Sequence, residues 1–338
     1  MALKFYDKLE VRSPKARERA LMAALPKLIA HAQKNAPGFA RILKGVRAST
    51  VKSREALASL PVTRKSELAT LQSERPPLGG LNATPLEKLA RLFVSPGPVY
   101  DPEGCGADWW RSARGLFAGG FRAGDRVLNT FAYHFTPAGS MLDSGALALG
   151  CTVIPAGTGQ TEMQVAAIRG LEVNGYVGTP SFLKLIVEKA DELKVDISCL
   201  KRAQVGAEYL PPALRNAMRE RGITVTQMYG SADLGVIAYE SFARDGKVTE
   251  GMILEEALIL EIVRRHGEVL RARLVVSGEP GADQMTLKCE VRERRPGLAG
   301  ALVASIRDVT KLRGEVELLE PGALPNDGKV IEDKRPIG

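Results

Sequence analysis

The sequence predicts an α/β fold, with a large parallel-sheet domain over residues 1–255 and a smaller α+β C-terminal domain over residues 256–338. Between residues 126 and 228, short β-branched and apolar runs recur every ~25 residues with helix-length segments between them, the pattern of right-handed strand–helix–strand crossovers. After Gly251 the pattern changes to several short, nearly alternating runs. A chain of 338 residues with 45% hydrophobic content can bury one large core and one small one.

Taken in order, residues 1–90 read as a helical N-terminal part. Ser13 followed by Pro14 is a helix start, and Leu21, Leu25, Leu28 and Ile29 keep helical spacing on to residue 33, with a kink expected at Pro26. Thr63 is expected to cap a second helix reaching residue 71. Within 120–250, the parallel-sheet part, strands are expected at 127–131, 152–156, 176–178, 203–205 and 225–228, and helices at 139–149, 161–169, 181–193 and 212–221. Beyond Gly251, residues 252–265 read as a strand leading into a helix. Residues 270–276, 285–291 and 315–319 read as strands, and Leu298, Leu302, Ile306 and Val309 mark one helix between them.

Composition excludes several function classes. No uninterrupted apolar run approaches the ~20 residues of a membrane span. Lys4, Asp7, Lys8, Glu10 and Arg12 stand where a signal peptide needs an apolar stretch, so a cytoplasmic location without membrane contact is expected. Cys105, Cys151, Cys199 and Cys289 form no C-x-x-C pair and read as reduced thiols used as small apolar residues. A net charge of +8 invites a nucleic-acid partner, but the bases interleave with acids and aromatics are only 5%, so no stacking platform accompanies them and no nucleic acid is expected. An anionic ligand would benefit from such a potential. A solvated surface would carry the same charge.

The densest functional signal lies between residues 205 and 235. Two strand-like runs, 201–205 and 224–228, stop at Gly206 and Gly230, residues that let backbone approach a ligand, and an acid follows each, Glu208 and Asp233. In an open α/β sheet ligands bind where the carboxyl ends of strands meet the loops, so both loops can face one crevice. Ordinary strand-to-loop turns of any doubly wound protein would read alike. Gly206-Ala207-Glu208 followed by Tyr229-Gly230-Ser231-Ala232-Asp233 resembles the nucleotide-binding motifs of the acyl-adenylating, AMP-forming ligases, in particular the phenylacetate-CoA ligase-like branch. Tyr6-Asp7-Lys8-Leu9-Glu10, Leu60-Pro61-Val62-Thr63-Arg64-Lys65, Gly124-Asp125-Arg126-Val127, Gly178-Thr179-Pro180-Ser181-Phe182 and Leu324-Pro325-Asn326-Asp327-Gly328-Lys329 resemble that branch in the same order.

The resemblance implies an AMP-binding large domain of the adenylate-forming ligase type and a reaction in which a small-molecule carboxylic acid such as phenylacetate is activated as acyl-AMP and passed to CoA. ATP or AMP, CoA and Mg²⁺ are the cofactors it implies, and it leaves a homodimer open. It also implies that Gly206, Ala207 and Glu208 flank the adenine, that Gln227 hydrogen-bonds its edge, that Tyr229 stacks on it, and that Gly230, Ser231 and Ala232 complete the nucleotide site. Asp233 stands where the family's glutamate holds the metal, one methylene shorter. Lys329 resembles the catalytic lysine that the small domain swings in, and Lys334 and Arg335 follow it; a lysine on a solvated tail is the alternative. Tyr133, His134, Tyr176 and Gly178 would line the acyl or aryl pocket, with a histidine satisfied in a loop equally open.

Two departures from the family pattern stand out. Where the family has a phosphate-binding loop, residues 93–104 carry Pro96, Pro98, Pro102, Asp101 and Glu103, and no lysine occurs between Lys88 and Lys184. Proline removes N–H donors and carboxylates repel phosphate. Further on, no aspartate occurs from Gly246 to Ala282, so the ribose-binding aspartate, the hinge and the first strand of the small domain are expected to be lost to an internal deletion, leaving a truncated small domain and impaired activity. A non-catalytic relative, a pseudoenzyme that binds a nucleotide or an acyl-CoA, is the rival expectation. A Rossmann dehydrogenase is disfavoured because no G-x-G-x-x-G follows an early strand.

Overall fold

The computed structural model describes residues 5–95, 98–243, 245–249, 251–255, 269–277, 284–310, 315–324 and 331–333. Helix α1 (Pro14–Asn35) starts as the sequence demands: the Ser13 hydroxyl accepts from the Ala16 amide at 3.2 Å, Pro14 takes the first helical position, and the helix continues through Pro26. Helices α2 (Pro37–Ile42), α3 (Arg54–Ala58) and α4 (Lys65–Glu74) follow. The helix expected to be capped by Thr63 begins at Lys65 instead, because Arg64 still holds extended backbone angles (φ −92°, ψ 135°) and no side chain closes the first turn.

Strands β1 (Leu89–Ser95) and β2 (Val99–Gly104) pair as an antiparallel hairpin, and helix α5 (Ser112–Ala118) leads into the sheet. The sheet alternates as expected: β3 (Arg126–Asn129), α6 (Ala138–Ala148), β4 (Thr152–Pro155), α7 (Thr161–Gly170), β5 (Gly175–Gly178), α8 (Pro180–Glu192), β6 (Arg202–Val205), α9 (Pro212–Glu220) and β7 (Thr224–Ser231). Strands β8 (Gly235–Tyr239) and β9 (Ile253–Leu254) complete a sheet of order β4-β3-β5-β6-β7-β8-β9. Neighbours from β4 to β7 run parallel, whereas β8 and β9 pair antiparallel, so the 120–250 part is not wholly parallel. The reason is connection length: β7 runs on to Ser231 and returns after a short turn, which suffices for a hairpin but not for a crossover helix.

Alternation along the strands divides the core in two. Tyr176, Ala203, Val205 and Val225 pack with Ile168, Leu183 and Ile186 of α7 and α8, while Val127, Val177 and Met228 pack with Leu116, Met141 and Leu142 of α5 and α6. Helix α8 is capped by Thr179, whose hydroxyl accepts from the Phe182 amide at 3.2 Å, with Pro180 at its first position. Thr179→Ala is expected to cost about 1 kcal/mol in chemical denaturation.

A second, four-stranded sheet of order β12-β11-β10-β13 is built from β10 (Val269–Ser277), β11 (Gln284–Val291), β12 (Glu315–Leu319) and β13 (Ile331–Asp333). Helix α10 (Leu298–Thr310) sets Leu298 and Leu302 against Leu287, Cys289 and Val291. The strand expected at the start of 252–265 is β9, and the helix expected after it lies outside the described residues. Among the described residues no helix is long and apolar enough to cross a membrane.

Candidate functional site

The carboxyl ends of β5, β6 and β7 meet at one edge of the large sheet. The Gly206 amide donates to the Gly178 carbonyl at 3.1 Å, and a Cβ on Gly206 would lie 2.8 Å from the Met228 carbonyl oxygen, so only glycine lets β6 leave the sheet so close to β7. Ala207 then takes a left-handed backbone (φ 66°), turning the chain out. Exposed Glu208 reaches back, its Oε2 accepting from the Ser181 amide at 3.2 Å at the start of α8. The Tyr229 ring stands 58% exposed on β7.

Between the two motifs lies a cavity of about 210 Å³, lined by Gly206 and Ala207 on one side and by Gly230, Ser231 and Ala232 on the other. Its walls are Phe131, Met141, Leu142, Met228 and Val236, with Ser95 and Gln204 the polar side chains of the lining besides Thr136 and Ser231. Glu208, Gln227 and Tyr229 lie outside this lining. Gln227 is half-buried, and its amide donates to Glu240 Oε2 at 2.6 Å. Gly230 has a different reason from the one expected: it does not end a strand but sits in the β7–β8 hairpin beside a register shift, where a Cβ would meet the Gly235 carbonyl oxygen at 2.9 Å.

The four residues expected in the acyl pocket, Tyr133, His134, Tyr176 and Gly178, lie outside the lining of this cavity. Tyr176 is fully buried on the α7–α8 side of the sheet, because alternation along β5 sends Val177, not Tyr176, to the α5–α6 side where the cavity lies. Its hydroxyl accepts from Thr130 Oγ1 at 2.9 Å and donates to the Thr179 carbonyl at 3.1 Å, and burial raises its pKa. Gly178 is buried against Thr130 and the Tyr176 hydroxyl, with no room for a side chain. Tyr133 donates to Asp143 Oδ1 at 3.1 Å, and burial with the neighbouring Asp143 charge raises its pKa. His134 is exposed and its carbonyl accepts from the Thr136 amide at 2.8 Å. The loop contributes Phe131, Thr136 and Pro137 to the cavity instead, and it is tied to the β1–β2 hairpin by the Val94 amide donating to the Phe135 carbonyl at 2.8 Å.

Asp233, the expected metal acid, is engaged by a residue that the sequence did not mark for this role: Lys65 Nζ lies 2.7 Å from its Oδ2. The Leu60-Pro61-Val62-Thr63-Arg64-Lys65 motif was the available signal, and α4 carries its lysine across the chain to the turn after β7. Among the described residues no group of three or more His, Cys, Asp or Glu is arranged to hold a metal ion. An ammonium already neutralises Asp233, so this carboxylate does not fit a Mg²⁺ site as it stands. Lys329, with Lys334 and Arg335, lies outside the described residues.

The segment 93–104 also differs from expectation. Its acids do not face outward to repel phosphate: Asp101 is 4% and Glu103 3% exposed, with Ser95 donating to Asp101 and Arg91 to Glu103 at 2.8 Å. Alternation in β2 directs Val99, Asp101 and Glu103 inward together. Burial raises the Asp101 pKa, with the Ser95 hydrogen bond opposing, the Asp233 charge adding to the rise and Lys65 opposing it. A carboxyl that holds its proton more tightly when folded makes the folded state the better proton binder. Stability from this group is therefore present at low pH and lost as pH rises through the raised folded value. Asp101→Asn keeps the acceptor for Ser95 and is expected to remove that loss, seen as a flatter dependence of unfolding free energy on pH across the acid range.

Behind the site a buried ion cluster ties three parts of the chain together. Arg114 on α5 donates to Asp7 Oδ2 at 2.6 Å and to Glu255, whose other oxygen lies 3.5 Å from Arg111 Nε. Arg111 also donates to the carbonyl of Leu234, next to Asp233. The Tyr6 ring completes the cluster, 5.7 Å beneath the Arg114 guanidinium and 5.8 Å from the Phe117 ring. The Tyr6-Asp7 motif thus serves as a brace, a role its sequence alone does not disclose.

The chain is similar to known proteins in sequence and in fold. The family described as AMP-binding enzyme matches residues 107–279. Phenylacetate-coenzyme A ligase of Aromatoleum evansii is 34% identical over 258 residues, covering 72% of this chain and 57% of that protein. The enzyme of the same name from Pseudomonas putida is 30% identical over 240 residues, covering 68% and 54% respectively. The chain thus spans little more than half the length of these relatives. In fold it is similar to 2-hydroxyisobutyryl-CoA ligase in complex with 2-HIB-AMP and CoA. The open conformation gives a TM-score of 0.63 at 23% identity over 71% of this chain and 59% of that one. The thioesterification state gives 0.59 at 17% identity over 98% and 92%.

Proposed function

As the chain belongs to the AMP-binding enzyme family, on its phenylacetate-coenzyme A ligase-like branch, we propose that it binds an adenine nucleotide at the Gly206–Glu208 and Tyr229–Ala232 motifs and seats the acyl or aryl group of a carboxylic acid in the apolar cavity between them. The cavity shared by both motifs is the observation that carries this proposal. Tyr229 offers an exposed aromatic face for the adenine, and the left-handed Ala207 turns backbone outward beside it. Apolar walls exclude water from the acid's hydrocarbon part. Lys65 is a cation at this edge, and in this scheme its ammonium exchanges Asp233 for a phosphate oxygen. When bound, ATP supplies the adenylyl group, with pyrophosphate leaving, and CoA the accepting thiol, with AMP leaving. In the same scheme the large unit ends at residue 255, and Lys329 is the lysine that acts on the reacting carboxylate and phosphate.

A second proposal, that the chain binds nucleotide and acid but turns over poorly, is favoured by the Lys65–Asp233 pair and by the pairing of residues 93–95 and 99–104 as strands with inward acids. Both proposals require nucleotide binding. AMP at tenfold its Kd is expected to stabilise the full chain by about 1.4 kcal/mol, read as a rise in the melting temperature. Tyr229→Ala should remove that rise with little effect on the unliganded protein, since the ring is exposed. A parent protein whose melting temperature ignores millimolar AMP and ATP would sink the assignment.

A further inference from the structure

Gln204 sits in the middle of β6, where its neighbours Ala203 and Val205 pack into the α7–α8 core. Alternation sends its amide to the opposite, α5–α6 side, the side of the cavity it lines. The residue is 1% exposed. One arm of the amide is held: Oε1 accepts from Thr226 Oγ1 at 2.9 Å, across a register that pairs Gln204 with Thr226, and the missing side chain of Gly119 makes room for that oxygen. The other arm, Nε2, has no hydrogen-bond partner among the described residues. A buried donor left unmet on a side chain of the cavity lining is a disfavoured arrangement that a bound ligand can correct.

We propose that Gln204 is a specificity-determining residue that donates from Nε2 to an oxygen on the acyl or aryl group of the substrate, so that the acid accepted is an oxygen-bearing one, such as a hydroxylated arylacetic acid, rather than a pure hydrocarbon acid. This rests on the proposal that the cavity takes the acyl group. A hydroxyl suits the amide in either orientation, because it both donates and accepts. The size of the discrimination follows from the pocket: a site built to hydrogen-bond a substrate group rejects the analogue lacking it far more strongly than an apolar wall rejects a missing methylene.

The test uses stable mimics of an acyl adenylate, the sulfamoyladenosine derivatives of phenylacetic acid and of its three hydroxyphenylacetic isomers, titrated calorimetrically into the full chain alongside AMP. At least one hydroxyphenyl mimic is expected to bind about tenfold or more tighter than the phenyl mimic in the parent. Gln204→Leu should erase or reverse that preference while leaving AMP affinity unchanged, and Thr226→Val, which frees the held arm, should weaken it. If the parent binds the phenyl mimic as tightly as every hydroxyphenyl isomer, the assignment of Gln204 is overturned whether or not the variants fold. If the preference persists undiminished in a folded Gln204→Leu, it is overturned as well. Failure of the parent to bind AMP and all four mimics would overturn the nucleotide proposal itself and this assignment with it.

Discussion

Replacing Glu255 with alanine is expected to cost about 3–5 kcal/mol of folding free energy, the loss typical of removing one partner from a buried ion pair. Glu255 is 1% exposed, and Arg114, to which it is bonded, is only 7% exposed. Without Glu255, Arg114 keeps Asp7 alone, and Arg111 loses the carboxylate 3.5 Å from its Nε. Desolvated guanidinium groups would then lack compensation, which is why the loss exceeds that of any exposed pair such as Arg221–Asp191. Guanidinium chloride unfolding of Glu255→Ala and of Asp191→Ala compares the two losses directly. The combined Arg114→Met, Glu255→Leu protein should recover much of the loss, since well-packed apolar residues commonly replace a buried pair at little cost. A loss below about 1 kcal/mol in Glu255→Ala would show that the cluster does not brace the fold.

The second large effect is kinetic. Pyrophosphate release from ATP and a carboxylic acid is expected to be slower by a factor on the order of 100 or more than thioester formation from supplied arylacetyl-AMP and CoA, this being the scale of losing one preorganised charge-stabilising donor. Lys65, one of the cations beside the turn, is already paired with Asp233, Arg111 is held by the Leu234 carbonyl, and residues 93–95 and 99–104 are spent on strand pairing rather than on a cradle of free amides. Coupled assays of both half-reactions on one preparation supply the ratio. Equal rates would mean that the site neutralises the reacting phosphate despite these features, and the chain would count as a working ligase.

Much of the large sheet was legible because its signal is local. Runs such as Val127-Leu128 and Ala203-Gln204-Val205 declare strands, and Thr179-Pro180 declares a helix start, through backbone preferences that operate within a few residues. What escaped depends on distance. Strand β8 was missed because Gly235–Tyr239 reads as a continuation of the loop until β7 is known to extend to Ser231. Tyr176 was grouped with Tyr133, His134 and Gly178 as pocket lining, yet a one-residue step along a strand reverses the face. The nucleotide motifs were recognisable as a pair, but the partner of Asp233 comes from a lysine 168 residues away, a separation across which periodicity says nothing. Gln204 looked like an ordinary strand residue, and only the geometry of Thr226 and Gly119 distinguishes its two amide arms.

The ion cluster on α5 also sets a timetable for synthesis. The bond between Arg114 and Asp7 closes a separation of 107 residues, and the bond between Arg114 and Glu255 one of 141. Contacts of such high order form late, after the loops they close have become ordered. On a ribosome Asp7 and Arg114 emerge early, and the second carboxylate arrives only after β7 and β8 have been made, since domains fold from the N-terminus as the chain is extended. A nascent chain stalled short of residue 255 would hold every parallel strand of the large sheet yet keep Arg114 half satisfied. Protease sensitivity of arrested chains should therefore fall abruptly as the arrest point moves far enough beyond residue 255 for Glu255 to clear the exit tunnel, making that residue the clasp that ends the vulnerable period.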